Sequence, residues 1–292
     1  MSDASRRKQL RELIEAPPLL VVPGVTDPYL ARLVQQAGFD AVYMTGAGVS
    51  HTRLGMPDLG LLTFSEMVDQ ATRIADAVAL PLIADADTGY GNALNVQRTI
   101  RAYERAGVSG CHIEDQEMPK RCGHFDEKRV VPLGEMLGKL KAALDARTDP
   151  NFILIARTDA RTAVGFDEAI ERGLAFAEVG ADVVFVESPT SKDELQIVGE
   201  RIQHPLLANM VETGLTPMLP ADELEGLGFN LAIHPGAIGR FIGKQVSEFL
   251  NVMHQERSTI GQLDRMLDFK HQNDIVDLPA YLDTAAKYKA SN

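Results

Sequence analysis

Ala106-Gly107-Val108-Ser109-Gly110-Cys111-His112-Ile113-Glu114 decides the fold. A helical pattern over 95–106 stops at a glycine, the residue that best fills the left-handed position after a helix. A short run over 110–114 follows and ends on polar side chains. The same helix-to-strand junction recurs at Ala37-Gly38, Val179-Gly180 and Leu227-Gly228. Working outward, strand-like runs fall at 19–22, 41–44, 82–85, 110–114, 152–157, 182–187, 206–208 and 230–233. Helical patterns over 63–78, 95–106, 132–146, 166–179 and 192–202 lie between them. Repeated βα units predict a parallel sheet with helical crossovers. Eight units in about 250 residues predict an α/β chain folded as a (β/α)8 TIM barrel. An open, doubly wound sheet of about eight strands is the rival. The expected organisation is one barrel domain over 1–292, with a C-terminal helical extension from about 240.

Composition narrows the function classes. The chain has 292 residues, 45% hydrophobic and 24% charged, which is ordinary for a globular protein and excludes disorder as a description of the whole. Its formal net charge of −12 argues against nucleic acid or an anionic membrane as partner. An anionic small molecule stays open, because a local arginine or Mg²⁺ holds a carboxylate whatever the global sign. Two cysteines, Cys111 and Cys122, do not make a disulfide framework and suit a reducing, cytoplasmic setting. Residues 1–14 are charged and lack the apolar core of a signal peptide. No apolar stretch reaches membrane-spanning length.

In a barrel the strand C-termini converge on the face that carries the active site. There the sequence places Thr45-Gly46-Ala47, Asp85 and Asp87, His112 and Glu114, Arg157 and Asp159, Glu187, Asn209 and His234. Asp85 and Asp87, two apart on a strand, would share a face, and Glu114 could join them. Three carboxylates without clustered Cys or His suit Mg²⁺ or Mn²⁺ rather than Zn²⁺. The competing reading makes the two aspartates caps for a helix starting near Asn92. His112 is read first as a hydrogen-bonded group inside the site and second as a ligand. Lys120-Arg121-Cys122-Gly123-His124 sits in a long loop, 115–131, and such loops are usually functional. Its basic flanks should lower the thiol pKa, fitting a nucleophile or acid, whereas Cys111 reads as a small core residue. Arg157 needs an anion if buried: a substrate carboxylate, Glu187 or another acid. Gly46-Ala47-Gly48 lacks a full nucleotide fingerprint and could instead offer N–H groups to a carboxylate.

Together these motifs resemble the isocitrate lyase / phosphoenolpyruvate mutase superfamily over nearly the whole chain. The carrying residues are Tyr43-Met44-Thr45-Gly46-Ala47-Gly48, Leu54-Gly55-Met56-Pro57-Asp58, Asp85-Ala86-Asp87-Thr88-Gly89-Tyr90-Gly91 and His112-Ile113-Glu114-Asp115-Gln116. Lys120-Arg121-Cys122-Gly123-His124, Ala156-Arg157-Thr158-Asp159-Ala160 and Asn209-Met210-Val211-Glu212 complete the set. The cysteine run resembles the carbon–carbon lyase branch, which includes 2-methylisocitrate and 2,3-dimethylmalate lyases. The resemblance implies a 2-hydroxy acid substrate and Mg²⁺ at Asp85 and Asp87, with Asp58 and Glu114 as outer shell. It implies substrate contacts from Thr45, Gly46, Ala47, Cys122, Gly123, Arg157, Glu187, Asn209 and Arg240. Cys122 would be the acid, on a gating loop with Lys120 and His124, and Tyr43 a candidate base. It also implies a homotetramer with C-terminal helices swapped between subunits.

Departures refine this expectation. Where 2-methylisocitrate lyases are expected to hold a carboxylate-binding arginine, this chain aligns Phe269, beside Lys270. That favours a substituted malate over a tricarboxylate. His234 is followed by Pro235 where oxaloacetate hydrolases are expected to carry serine. A phosphonomutase, an oxaloacetate decarboxylase and a non-catalytic carboxylate-binding protein are the other readings.

Overall fold

The computed structural model describes residues 2–121, 123 and 128–289. They form two compact units, 1–238 and 239–292. In the first unit eight strands close into a parallel barrel in sequence order. They are β1 (Leu20–Val25), β2 (Val42–Met44), β3 (Leu82–Asp85), β4 (Gly110–Glu114), β5 (Ile153–Thr158), β6 (Val183–Val186), β7 (Leu206–Asn209) and β8 (Leu231–His234). β1 pairs with β8 from Leu20 opposite Leu231 to Pro23 opposite His234, so no edge remains and the open-sheet rival is excluded.

Residue parity explains the barrel. Tyr43, Ile83, Ile155, Phe185, Leu207 and Ile233 fill its interior. Their neighbours Val42, Met44, Leu82, Ala84, Cys111, Leu154 and Val184 pack outward under the helices. Both faces are therefore apolar, as parallel strands require. Stepping two residues past the interior rows reaches Asp85, Arg157, Glu187 and Asn209, with His112 and Glu114 in step on β4. The same parity that fills the core delivers those side chains to the C-terminal mouth.

Helices follow in order. α1 is Asp3–Glu15, α2 Pro28–Gln36, α3 the short turn Gly46–Val49, α4 Phe64–Ala77 and α5 Ala93–Arg105. α6 is Leu133–Ala146, α7 Ala160–Ala163, α8 Phe166–Val179, α9 Lys192–Arg201 and α10 Ala221–Gly226. α5 starts with a capping box in which Asn92 accepts from Leu94 and Asn95 N–H. The cap is thus Asn92 itself, which removes the capping role for Asp85 and Asp87. α1 closes the N-terminal end: Leu10 and Ile14, four apart on one helical face, join the interior cluster. Arg6 and Arg7 are buried beside them because they donate to backbone carbonyls, Arg6 to Ala75 and Val78, Arg7 to Val108.

The second unit is helical. It comprises most of α11 (Ala237–Glu256), a 3-10 turn (Ile260–Arg265), α12 (Phe269–Ile275) and α13 (Leu278–Lys287). α11 has no buried residue, and Phe269 is 85% exposed.

Candidate active site

The mouth of the barrel is a network of buried charges. Asp85 ends β3 and accepts from Gly46 N–H (3.2 Å) and Asp87 N–H (2.9 Å). A Cβ at position 46 would lie 2.5 Å from Asp85 Oδ2, so only glycine lets the backbone come this close. Gly46 N–H therefore serves Asp85. The Thr45 hydroxyl likewise caps α3 by accepting from Gly48 N–H at 3.3 Å.

Asp87 departs from the strand expectation. β3 ends at Asp85, and Asp87 has φ 45°, the left-handed region that aspartate tolerates better than most residues. Its carboxylate turns to Lys120, with Oδ1 2.7 Å from Nζ. Lys120 also donates to Asp58 Oδ1 at 2.6 Å. Burial works against the lysine charge, but Asp87, Asp85, Glu114 and Asp58 outweigh it and hold Lys120 well above its ordinary range. Burial, opposed by Lys120 and aided by Asp85, pushes Asp87 up to about 6.

His112 is a neutral, interior histidine. Burial and the nearby Arg157 charge lower it to about 3. Its Nε2 lies 2.8 Å from the Tyr43 hydroxyl and 3.5 Å from Asp85 Oδ1. Burial and then the Asp85 charge raise Tyr43 well above 10, so it is a neutral phenol. Arg157, on β5, lies among three acids. It donates to Asp159 through Nε (2.9 Å) and Nη2 (3.1 Å), while Glu187 Oε2 is 3.3 Å from Nη2 and Glu114 Oε2 3.4 Å from Nε. Burial opposes ionisation of Asp159, but Arg157 and Lys128 outweigh it and keep Asp159 well below the usual carboxylate range. Burial raises Glu114 well above its usual value against the pull of Arg157. Asn209 Nδ2 donates to Glu187 Oε2 at 3.0 Å. At the end of β8, His234 Nδ1 lies 3.6 Å from Glu212 Oε1.

These contacts join Tyr43, Gly46, Asp58, Asp85, Asp87 and Lys120 in one group and Glu114, Arg157, Glu187 and Asn209 in another, and Glu114 N–H, donating to the Asp87 carbonyl at 2.9 Å, connects the two. Gly123 belongs to the second group: a Cβ there would lie 2.5 Å from Arg157 Nη2. Cys122 and His124 lie outside the described residues. Arg240 stands on α11. Cys111 is fully buried, and burial raises its thiol, matching a core role.

The foot of the long loop is built by residues that sequence reasoning did not assign. Gln116 bridges Val130, Val131 N–H donates to Asp115, and Gln116 clasps the Arg121 backbone through both amide atoms at 2.9 Å. Asp115 accepts from Thr158, the Asp159 amide and Arg172. Lys128 reaches Asp159, and Ser188 reaches Glu187. Asp115 and Ser188 had a signal, since each directly follows a strand-end acid. Lys128 had none, because its partner is 31 residues away.

Among the described residues, no three His, Cys, Asp or Glu side chains form a ready cage for a metal. The donor set nevertheless fits a hard cation held largely through water. Asp58, Asp85, Asp87, Glu114, Asp159 and Glu187 are all carboxylates, facing the cations Lys120, Lys128 and Arg157. Glu114 Oε1 is buried without a hydrogen-bond partner among the described residues. Mg²⁺ usually takes one or two carboxylates and keeps several waters.

The phosphoenolpyruvate phosphomutase profile matches residues 10–253. The chain belongs to this family. Within it, 2,3-dimethylmalate lyase of Eubacterium barkeri is 47% identical over 280 residues, covering 96% of this chain and 97% of that one. A 2-methylisocitrate lyase of Bacillus subtilis is 40% identical, covering 95% and 90%. Among solved structures of the phosphomutase/isocitrate lyase superfamily, oxaloacetate acetylhydrolase with 3,3-difluorooxalacetate has a TM-score of 0.93 at 36% identity, covering 100% of both chains. Phosphonopyruvate hydrolase complexed with oxalate and Mg²⁺ has a TM-score of 0.87 at 29% identity, covering 99% of both. The closed barrel is thus the family's fold, and the chain is an enzyme of a family whose named relatives are lyases and mutases.

Proposed function

We propose that this protein is a Mg²⁺-dependent carbon–carbon lyase that cleaves a 2,3-dimethylmalate-like 2-hydroxy dicarboxylate to pyruvate and a second carboxylate. The observation that carries the reading is that Glu114 joins the two halves of the site: its N–H donates to the Asp87 carbonyl at 2.9 Å and its Oε2 lies 3.4 Å from Arg157 Nε, so the aspartates suited to a hard cation and the buried arginine suited to a carboxylate flank one residue. Asp85 and Asp87 would hold the cation, with Asp58 and Glu114 behind them; Mn²⁺ has the same ligand preference. When bound there, Mg²⁺ supplies positive charge that eases loss of the substrate hydroxyl proton.

The chain's own groups handle the rest. Among the described residues, Arg157 contacts use Nε and Nη2, and we assign Nη1 to a substrate carboxylate. Thr45, Gly46, Ala47, Gly123, Glu187 and Asn209 would shape the substrate pocket. Tyr43, whose hydroxyl oxygen lies 2.8 Å from His112 Nε2, is our candidate base for the hydroxyl proton and would act in its ionised form. As the oxygen becomes the pyruvate ketone, the bond to the neighbouring carbon breaks and its electron pair passes to that carbon as an enediolate. Arg157 would balance this charge, and the Cys122 thiol would give the carbon its proton. Lys120 and His124 would set the charge around that thiol.

No described helix is long and apolar enough to cross a membrane, and we place the protein in the cytoplasm. Phe241, Leu250, Leu263 and Phe269 are more than half exposed, an apolar arm that suits exchange between copies in a homotetramer. The second reading, 2-methylisocitrate cleavage, is favoured by relatives of that name. A pyruvate-coupled assay with 2,3-dimethylmalate, 2-methylisocitrate, oxaloacetate and phosphonopyruvate tests the assignment. Pyruvate from dimethylmalate at the highest kcat/KM supports it. Preference for methylisocitrate selects the second reading, and turnover of phosphonopyruvate alone overturns both.

A further inference from the structure

Lys128 has no task in the reaction derived above, yet it is buried among the charges of the site. Lysine is almost never fully buried unless paired. Its ammonium donates to Asp159 Oδ1 at 3.0 Å and also to the Gly123 carbonyl. Neutralising Asp159 does not by itself explain it, because Arg157 already makes two hydrogen bonds to that carboxylate. The second observation is at the carbonyl. The Ser188 hydroxyl reaches the same Gly123 oxygen at 3.1 Å, its one proton shared with Glu187 Oε1 at 3.0 Å. Ser188 does so from φ 58°, a conformation costly for a non-glycine residue. Two side chains, one five residues along the loop and one 65 residues away, thus converge on one carbonyl. That peptide touches the carboxylate-binding groups: a Cβ on Gly123 would lie 2.5 Å from Arg157 Nη2 and 2.7 Å from Glu187 Cδ.

We propose that Lys128 is a positioning residue for the lyase reaction: with Ser188 it fixes the Gly123 peptide against Arg157 and Glu187. Lys128 also ties that peptide to the Arg157–Asp159 pair, so the two move as one unit. Gly123 follows Cys122 in the chain, so an error in its peptide is passed to the proton donor. The proposal rests on the lyase reading. Loss of the clasp misplaces the donor in the transition state and leaves ground-state carboxylate binding by Arg157 in place.

The test compares full-length wild type, Lys128→Met, Lys128→Arg and Ser188→Ala with Mg²⁺ present. It reads kcat and KM for pyruvate release from 2,3-dimethylmalate, and oxalate affinity by calorimetry. Misplacement by about 1 Å costs on the order of a hundredfold in rate, so Lys128→Met should lower kcat about tenfold or more while oxalate affinity stays within about threefold. Lys128→Arg, which keeps a cationic donor, should regain part of kcat. Ser188→Ala should lower kcat less, because Lys128 still donates. Unchanged kcat in Lys128→Met overturns the proposal, as does a parallel loss of kcat and oxalate binding. If Lys128→Met does not fold, Ser188→Ala decides: lowered kcat with oxalate binding kept supports the clasp, and unchanged kcat overturns it. A wild type that releases no pyruvate overturns the lyase reading and the positioning role together, whereas an active wild type beside an unaffected variant sinks the positioning role alone.

Discussion

Arg157 shows how one side chain sets the chemistry of the mouth. Its planar fork bridges Asp159 and Glu187 at 3.1 and 3.3 Å from a single nitrogen. Lysine keeps the charge but not the fork. Arg157→Lys should therefore lower kcat/KM for pyruvate release by about 10²- to 10³-fold, the size of losing one pre-set donor to a developing anion. Steady-state kinetics check this, and a change under threefold would contradict the role. Gly46 makes a second residue-level case. Gly46→Ala forces a methyl onto Asp85 Oδ2, so half-activation should need about 10- to 100-fold more Mg²⁺, as for other displaced ligand supports. A Mg²⁺ titration of activity reads the effect. At this scale the sequence was legible wherever strand parity held. Parity placed Asp85, Glu114, Arg157 and Glu187 correctly. It failed one step later, at Asp87, because the chain turns through a left-handed residue ahead of Thr88-Gly89-Tyr90-Gly91. Lys128 was illegible because no local pattern encodes a contact across 31 residues.

At the scale of elements, α1 shows where periodicity was too thin to read. Leu10 and Ile14 are its only fully apolar buried positions, and its other buried residues are two arginines. Those arginines belong there because they meet backbone carbonyls at the barrel's closed end. Leu10→Ala should destabilise the fold by about 2–5 kcal/mol, measured by urea unfolding, because it empties an interior position. The element is also tied by Arg7 to Asp149, with Nη1 3.3 Å from Oδ2. Burial raises Asp149, but the Asn151 amide and Arg7 outweigh it and hold the acid below its ordinary value. A depressed carboxylate contributes stability above its unfolded pKa of about 3.9 and loses it as pH falls through the folded value. Asp149→Asn should therefore lower the melting temperature at pH 7, and the gap to wild type should narrow below about pH 4. Melting curves across that range check the sign; a gap that widens in acid would contradict it.

At the scale of the molecule, the barrel was readable because parallel strands buried on both faces leave continuous apolar runs, each stopped by a polar residue at the mouth. The C-terminal unit was readable only as helix, because the pattern of an apolar arm does not say what covers it. If the arm exchanges between copies, light scattering should give a mass of about four chains, the closed symmetric assembly expected here. Phe241→Asp together with Leu250→Asp should then yield smaller species with a lower melting temperature. A wild-type monomer would contradict that assignment.

The central claim is that this mouth breaks a carbon–carbon bond and protonates the carbon left behind. The most direct measurement is cleavage of 2,3-dimethylmalate in D₂O with Mg²⁺, followed by NMR of the products. The account predicts pyruvate and propionate in equal amounts, with one deuterium at propionate C2 and none of either product when EDTA removes the metal. Absence of propionate, or cleavage that persists undiminished in EDTA, would contradict it.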